Sequence, residues 1–209
     1  EDGLKKSSVT AGNLSNYTNW QLVTGGNGLS TGACKAVVTI NNKIVVLKND
    51  SLFIQTGTNW NLLYADGWPV ISLNSTGNKL ELCQRRPTGE SKVTVLNDNG
   101  TVERTITQPA VISFPRKAIL FNNDYWIADQ FGALSKFTAT DFEVYKLNSP
   151  EATASGEMLV RNGIFYAAAG EVNSSWNYQF NGNGIYKFAE GSWTNYNRFN
   201  NSAPDSLFD

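Results

Sequence analysis

Val37-Val38-Thr39-Ile40, Asn41-Asn42-Lys43, Ile44-Val45-Val46-Leu47, Ser51-Leu52-Phe53-Ile54 and Trp60-Asn61-Leu62-Leu63 decide the fold of this chain. Short runs of Val, Ile, Leu and aromatic residues, bounded by Asn, Gly, Asp and Ser, read as strands joined by tight polar turns. Four strands follow one another with no room for a helix between them. Nowhere along the chain does a long apolar period of 3.6 residues appear.

The same order recurs. A second copy runs Val70-Ile71-Ser72-Leu73, Leu80-Glu81-Leu82, Lys92-Val93-Thr94-Val95-Leu96 and Val102-Glu103-Arg104-Thr105-Ile106, with turns at Ser75 to Asn78 and Asn97 to Gly100. A third has Ala118-Ile119-Leu120-Phe121, Tyr125-Trp126-Ile127-Ala128, Gly132 to Phe137 and Glu143 to Leu147. A fourth has Met158-Leu159-Val160, Ile164 to Ala168, Gly184 to Phe188 and Ser192 to Tyr196. The copies recur at roughly 36 to 45 residues, the span of one four-stranded blade. A lone four-stranded sheet cannot hide both faces, whereas sheets stacked radially cover one another. The expectation is therefore all-β: a single, partial β-propeller over 1–209, with repeats at about 34–64, 68–107, 116–148 and 156–197. A β-sandwich of consecutive hairpins also spaces short strands closely, but it does not require the whole four-strand order to recur.

Both ends read as incomplete blades. Tyr17-Thr18-Asn19-Trp20-Gln21-Leu22 copies the outer-strand phrase Gly57-Thr58-Asn59-Trp60-Asn61-Leu62, and Asp205-Ser206-Leu207-Phe208-Asp209 resembles the start of another inner strand. Either the ends join into the closing blade of a five-bladed ring, or the chain is an arc of a larger one.

Composition narrows the function. Lys plus Arg number 17 against 18 Asp plus Glu, so no net field draws a phosphate backbone, and nucleic acid is not an expected partner. Charged residues are 17% of the chain, below the usual share, and Asn, Ser, Thr, Gly and aromatics fill the gap, as in exported β-rich proteins. No apolar run is long enough to span a bilayer as a helix, and Glu1 to Lys6 lacks the apolar core of a signal peptide. The chain reads as a processed or excised piece of a larger exported protein. With no histidine, Ser-His-Asp hydrolysis and His-bound zinc are excluded. Cys34 and Cys83, far apart in sequence, define neither a metal site nor a disulfide framework; inert buried thiols are expected, with a bond between the two as the alternative.

No residue set announces catalysis. Asp66, Asp124, Asp129, Asp141 and Glu171 fall in or near turns, yet no spacing selects a pair for glycoside hydrolysis, and acidic residues in such turns ordinarily hydrogen-bond the turn itself. Asn97-Asp98-Asn99-Gly100 opens like a calcium loop, but Gln108 stands where the twelfth, acidic ligand belongs, so a hairpin turn is expected. No enzyme, no cofactor and no metal are expected. The unusual stretch is Gly170 to Gly184, a long polar and aromatic insertion between two strands. Trp176, Asn177, Tyr178 and Phe180 are the candidate contacts for a sugar ring or a partner side chain, the rings stacking and the amide hydrogen-bonding. The alternative is that these rings seal the loop onto its own blade.

At this insertion the chain resembles a known family. Ala167-Ala168-Ala169-Gly170, Trp176-Asn177, Asn183-Gly184-Ile185-Tyr186-Lys187-Phe188, Gly191-Ser192-Trp193, Tyr196-Asn197 and Asp205 look like the amino-terminal propeller of the PorZ family of the type IX secretion system. The resemblance implies a non-enzymatic protein of the periplasm or cell surface, held at the outer membrane through other secretion-machinery proteins. Lipopolysaccharide or another glycan would be met through the parent protein. It assigns no binding residue here. Two alternatives stay open: the extracellular sensor propeller of a polysaccharide-responsive hybrid two-component system, and a small propeller lectin or glycosidase.

Overall fold

The hairpins close where asparagine permits left-handed backbone. In the computed structural model, which describes residues 3–152, 154–170, 172–177 and 182–197, both central residues of the Asn41-Asn42, Asn49-Asp50 and Asn122-Asn123 turns have φ between 45° and 66°. Two successive positive φ values make the turn whose twist matches the flanking strands, and Asn and Asp enter that region at lower cost than other side chains.

Between these turns the chain forms four antiparallel meanders, each with its strands adjacent in chain order. The first sheet is β3 (Ala36–Ile40), β4 (Lys43–Lys48), β5 (Ser51–Thr56) and β6 (Asn59–Tyr64). The second is β7 (Val70–Thr76), β8 (Lys79–Arg85), β9 (Ser91–Asn97) and β10 (Val102–Ile106). The third is β11 (Pro115–Phe121), β12 (Asp124–Asp129), β13 (Ala133–Phe137) and β14 (Phe142–Tyr145). The fourth is β15 (Met158–Arg161), β16 (Ile164–Ala168), β17 (Ile185–Ala189) and β18 (Ser192–Tyr196). A two-stranded ribbon of β1 (Lys5–Lys6) and β2 (Gln21–Leu22) precedes them. The expected four blades are present, and the chain is an all-β protein of propeller type.

Two compact units divide the chain, Glu1–Lys146 and Leu147–Asp209. In the first unit β7 packs against both β3 and β11, so the leading strands of three successive sheets lie side by side, as in a propeller. Alternation within each strand supplies the two faces. Leu80 and Leu82 of β8 meet Val45, Leu47, Leu52 and Ile54 of the first sheet. Cys83 of β8, with Val93 and Val95 of β9, meets Ala118, Tyr125, Ile127 and Phe137 of the third. The middle strands of the second sheet are thus covered on both sides, and each fully buried Leu or Val there contributes about 1.5–3 kcal/mol.

The first sheet's remaining face is covered by the N-terminal segment, where Leu29, Leu4, Val23 and Cys34 pack with Val46, Trp60 and Phe53. Here the structure departs from the sequence expectation. Tyr17–Asn19 form a single 3-10 turn, and only Gln21–Leu22 are extended, paired with Lys5–Lys6. The Asn16 side chain accepts from Thr18 N at 3.1 Å and Trp20 Nε1 donates to Leu14 O at 2.8 Å. These local bonds hold the phrase in a turn, although its copy around Trp60 is a strand. Asp205 to Asp209 lie outside the described residues.

In the second unit, Trp193 of β18 packs edge-on against Phe165 of β16 at 5.8 Å and against Phe188 of β17 at 5.1 Å. Tyr186 and Ala167 are buried. Cys34 and Cys83 are both free, the first half-buried and the second buried.

Candidate functional site

Asp66 and Asp129, both carboxylates that the sequence offers for chemistry, are consumed by the fold. Asp66 lies in the connection from β6 to β7. Its oxygens accept from Lys92 Nζ at 2.7 Å, Gln84 Nε2 at 2.9 Å, Trp68 N at 3.0 Å and Tyr64 Oη at 3.0 Å. Burial alone would raise this carboxyl, but the four donors outweigh it and hold it below its ordinary value. Burial, with Asp66 beside it, pushes the Tyr64 hydroxyl up to about 12.

Asp129 ends β12 and is buried. It accepts from four backbone amides: Phe114 and Ser113 at 2.6 and 2.9 Å, Gly132 and Phe131 at 2.8 and 2.9 Å. Burial again works against the charge, and the amides outweigh it. One carboxylate therefore clamps both the β12–β13 turn and the chain entering β11. Each of the two carboxylates has its own ring of donors. Asp141 is used locally, accepting from Phe142 N at 2.7 Å. Asn97 Oδ1 accepts from Thr101 N and Asp98 Oδ2 from Asn41 Nδ2, so Asn97 to Gly100 is a hairpin turn, as expected. Among the described residues, no three or more Cys, Asp or Glu side chains assemble into a cluster able to hold a metal.

The two clamps fix a row of aromatic and cationic side chains at one end of the second and third sheets. Trp68 precedes Pro69 and β7; the Arg86 guanidinium lies 4.1 Å from its ring centre and Lys92 Nζ 4.3 Å. Phe114 precedes Pro115, at the start of β11; the guanidinium carbons of Arg85 and Arg116 lie 4.8 and 4.3 Å from its ring centre. Arg85 Nε also donates to Ser113 O at 3.0 Å, and Ser91 Oγ to the same oxygen at 2.7 Å. Phe131 follows the Asp129 clamp, 71% exposed, its ring 6.2 Å from that of Phe114. Sequence reading missed this row. The signal was an aromatic-Pro pair at the entrance to two blades, Trp68-Pro69 and Phe114-Pro115, where proline keeps the preceding residue extended.

A cleft of about 340 Å³ opens between β10, with the connection that leaves it, and the β13–β14 turn, lined by Arg104, Gln108, Phe137, Thr140, Asp141 and Phe142. The Arg104 guanidinium donates to Thr138 O at 2.6 Å and so bridges the two sheets along this cleft.

The sequence candidates lie in the second unit, in the β16–β17 connection. Trp176 is 83% exposed and sits at φ 63°. Asn173 Oδ1 accepts from Ser175 N and Asn177 N at 2.9 and 3.1 Å, and Asn173 O from Trp176 N at 3.0 Å. A closed asparagine turn therefore presents the indole outward rather than sealing it onto the blade. Asn177 adjoins it; Tyr178, Phe180 and Glu171 lie outside the described residues.

Sheet topology and this display of groups define a β-propeller module, a class in which function resides in the groups carried on the blade ends rather than in the fold. No protein-family model matches this chain, and neither does any curated protein. Among solved structures it is similar to the amino-terminal domain of Nup159, at 13% identity over 82% of this chain and 49% of that one, TM-score 0.43. It is also similar to a prolyl endopeptidase, at 17% identity over 71% and 26%, TM-score 0.48. A third is the WD40 domain of SCAP from fission yeast, at 14% identity over 74% and 39%, TM-score 0.33. The chain spans about half the length of these structures or less. The propeller assignment rests on its own sheets.

Proposed function

We propose that this chain is a non-catalytic binding and scaffolding propeller, part of an exported protein that works in a cell-surface assembly of the type IX secretion kind. The observation that carries the non-catalytic reading is the saturation of Asp66 and Asp129 by structural donors. The displayed groups are rings, guanidinium forks and amides, which bind but do not transfer protons near neutral pH. The secretion assignment is supported by the resemblance over Ala167 to Asn197. Most of those residues build β16, β17 and β18, while Trp176 and Asn177 are displayed. Its partners on this reading are secretion-machinery proteins at the outer membrane, with lipopolysaccharide or another glycan engaged through the parent protein.

Mild cross-linking in the native envelope, purification of the parent protein and mass spectrometry of its companions test this. Recovery of outer-membrane secretion components supports it. A kinase fused to or bound beside the propeller, or an absence of secretion components, overturns it. A carbohydrate-binding propeller is the second reading, favoured by the outward indole of Trp176.

A further inference from the structure

The row of cations at one end of the second and third sheets carries more positive charge than its neighbours cancel. Lys92 is paired with Asp66 at 2.7 Å and Arg86 with Glu90 at 3.5 Å. Among the described residues, Arg85 and Arg116 have no carboxylate within ion-pair distance. The nearest structural acid of the third sheet, Asp129, is turned inward onto four amides. Both guanidinium carbons lie within 5 Å of one ring centre, so no more than about 9 Å separates them. Two like charges that close repel one another, and more strongly at a protein surface than in bulk water. The fold holds them together regardless, because Arg85 ends β8 and Arg116 opens β11, and the Asp129 clamp and the Ser113 carbonyl fix the two strands. A ligand carboxylate on each would relieve the repulsion and gain planar, two-pronged hydrogen bonds from its fork.

The rings narrow the occupant. Trp68 already has two cations within 4.3 Å of its centre and Phe114 two within 4.8 Å, so neither offers an open face for stacking a pyranose. The free apolar surface is Phe131, beside Phe114. In an extended peptide, alternate side chains project from one face at intervals of about 6.6 Å, which lies within the limit on the separation of the two guanidinium groups. We infer that this end of the second and third sheets binds an extended acidic peptide segment, with carboxylates at alternate positions on Arg85 and Arg116 and an apolar side chain against Phe131. The inference rests on the binding-propeller reading and names the chemistry of the partner.

The test is fluorescence anisotropy at low salt, about 50 mM, using the whole chain. The probe is a labelled hexapeptide with glutamates at alternate positions and one phenylalanine. Saturable binding is expected, weakened about tenfold or more by Arg116→Gln and also by Arg116→Lys, which keeps the charge but loses the fork. Phe131→Ala weakens it less. Replacing the peptide's glutamates by glutamine abolishes it. Arg116 is exposed, so Arg116→Gln should keep the native melting temperature and stands as the deciding variant even if Arg85→Gln fails to fold. The inference is overturned by equal affinity in Arg116→Gln, by equal binding of the glutamine peptide, or by tighter binding of an oligogalacturonate than of the peptide. Failure of the peptide alongside recovery of secretion components with the parent protein removes this inference alone. Success of the peptide without those components removes the secretion assignment alone.

Discussion

Lys92 Nζ lies 2.7 Å from Asp66 Oδ2, and this contact ties the third strand of the second sheet to the connection that leaves the first. Both side chains are mostly shielded from water, and the same carboxylate holds the amide of Gln84, itself fully buried. Thr94 Oγ1 in turn donates to Gln84 Oε1 at 2.6 Å, so the contact anchors a buried polar chain within the blade junction.

Asp66→Ala leaves Lys92, Gln84 and Trp68 N without their acceptor, and the expected cost is about 3 kcal/mol in urea unfolding. The pH dependence has a definite sign. Because the folded carboxyl is held below its ordinary value of 3.8, its stabilisation is complete above that value and is lost as pH falls through the lower, folded one. The stability gap between the native chain and Asp66→Asn should therefore close in acid. A gap that is constant from pH 7 to pH 3 would contradict the assignment.

Glu81 gives the opposite slope. Its side chain is fully buried on the face of β8 that meets the third sheet, with Cys83 and Tyr125 among the titratable neighbours. Oε2 accepts long bonds from Asn74 and Thr76, each 3.4 Å, and Oε1 has no partner. Burial pushes the carboxyl up to about 7. The neutral form is native, so stability is greatest below about 4.5 and falls as pH rises toward 7, by about 3 kcal/mol in all. Glu81→Gln should remove most of this slope and melt higher than the native chain at pH 8. Parallel melting profiles for the two proteins from pH 5 to pH 8 would count against a titrating Glu81.

Gly28, at φ 90°, runs directly beneath the Trp60 carbonyl, and a β-carbon there would collide with that oxygen. Gly57, at φ 62°, faces open space. Gly28→Ala should cost more than about 2 kcal/mol, lowering the melting temperature by about 5 °C or more, whereas Gly57→Ala should cost about 1 kcal/mol from backbone conformation alone. Similar losses in the two variants would mean that the N-terminal segment does not hold Gly28 against β6.

The two thiols should differ in reactivity. Burial pushes Cys83 up to about 11, and it has no exposed surface, while Cys34 is half-buried. A disulfide-exchange reagent should label one thiol in the native chain and the second only on unfolding, because the thiolate is the reactive form. Two thiols reacting together in the native chain, or none reacting even in denaturant, would refute this.

Trp176→Ala should leave the melting temperature almost unchanged, within about 0.5 kcal/mol, since an indole 83% exposed buries little. If the second functional reading holds, the same variant loses the intrinsic-fluorescence response to an oligosaccharide. A large drop in stability would show instead that the indole seals the β16–β17 connection.

Strands and turns were legible because they are local. Asn41-Asn42 and Asn122-Asn123 mark their hairpins through the left-handed backbone that asparagine accepts, and the four-strand order repeats openly along the chain. Radial stacking then decided what periodicity could not. Leu80-Glu81-Leu82 alternates as though Glu81 faced water, yet the third sheet covers that face and Glu81 is buried, because each inner blade has two covered sides. The phrase Tyr17 to Leu22 repeats an outer strand but, held by Asn16, becomes a turn in the segment that covers the first sheet. Trp68, Arg85, Arg86, Lys92, Phe114, Arg116 and Phe131 come from four separate stretches of sequence, each unremarkable alone. Only the packing of the second sheet against the third, tied at this end by the Ser113 carbonyl that accepts from Arg85 and Ser91, sets them side by side. Local dihedral preference is written residue by residue, whereas the burial of a charge and the spacing of two guanidinium groups depend on which sheet stacks on which.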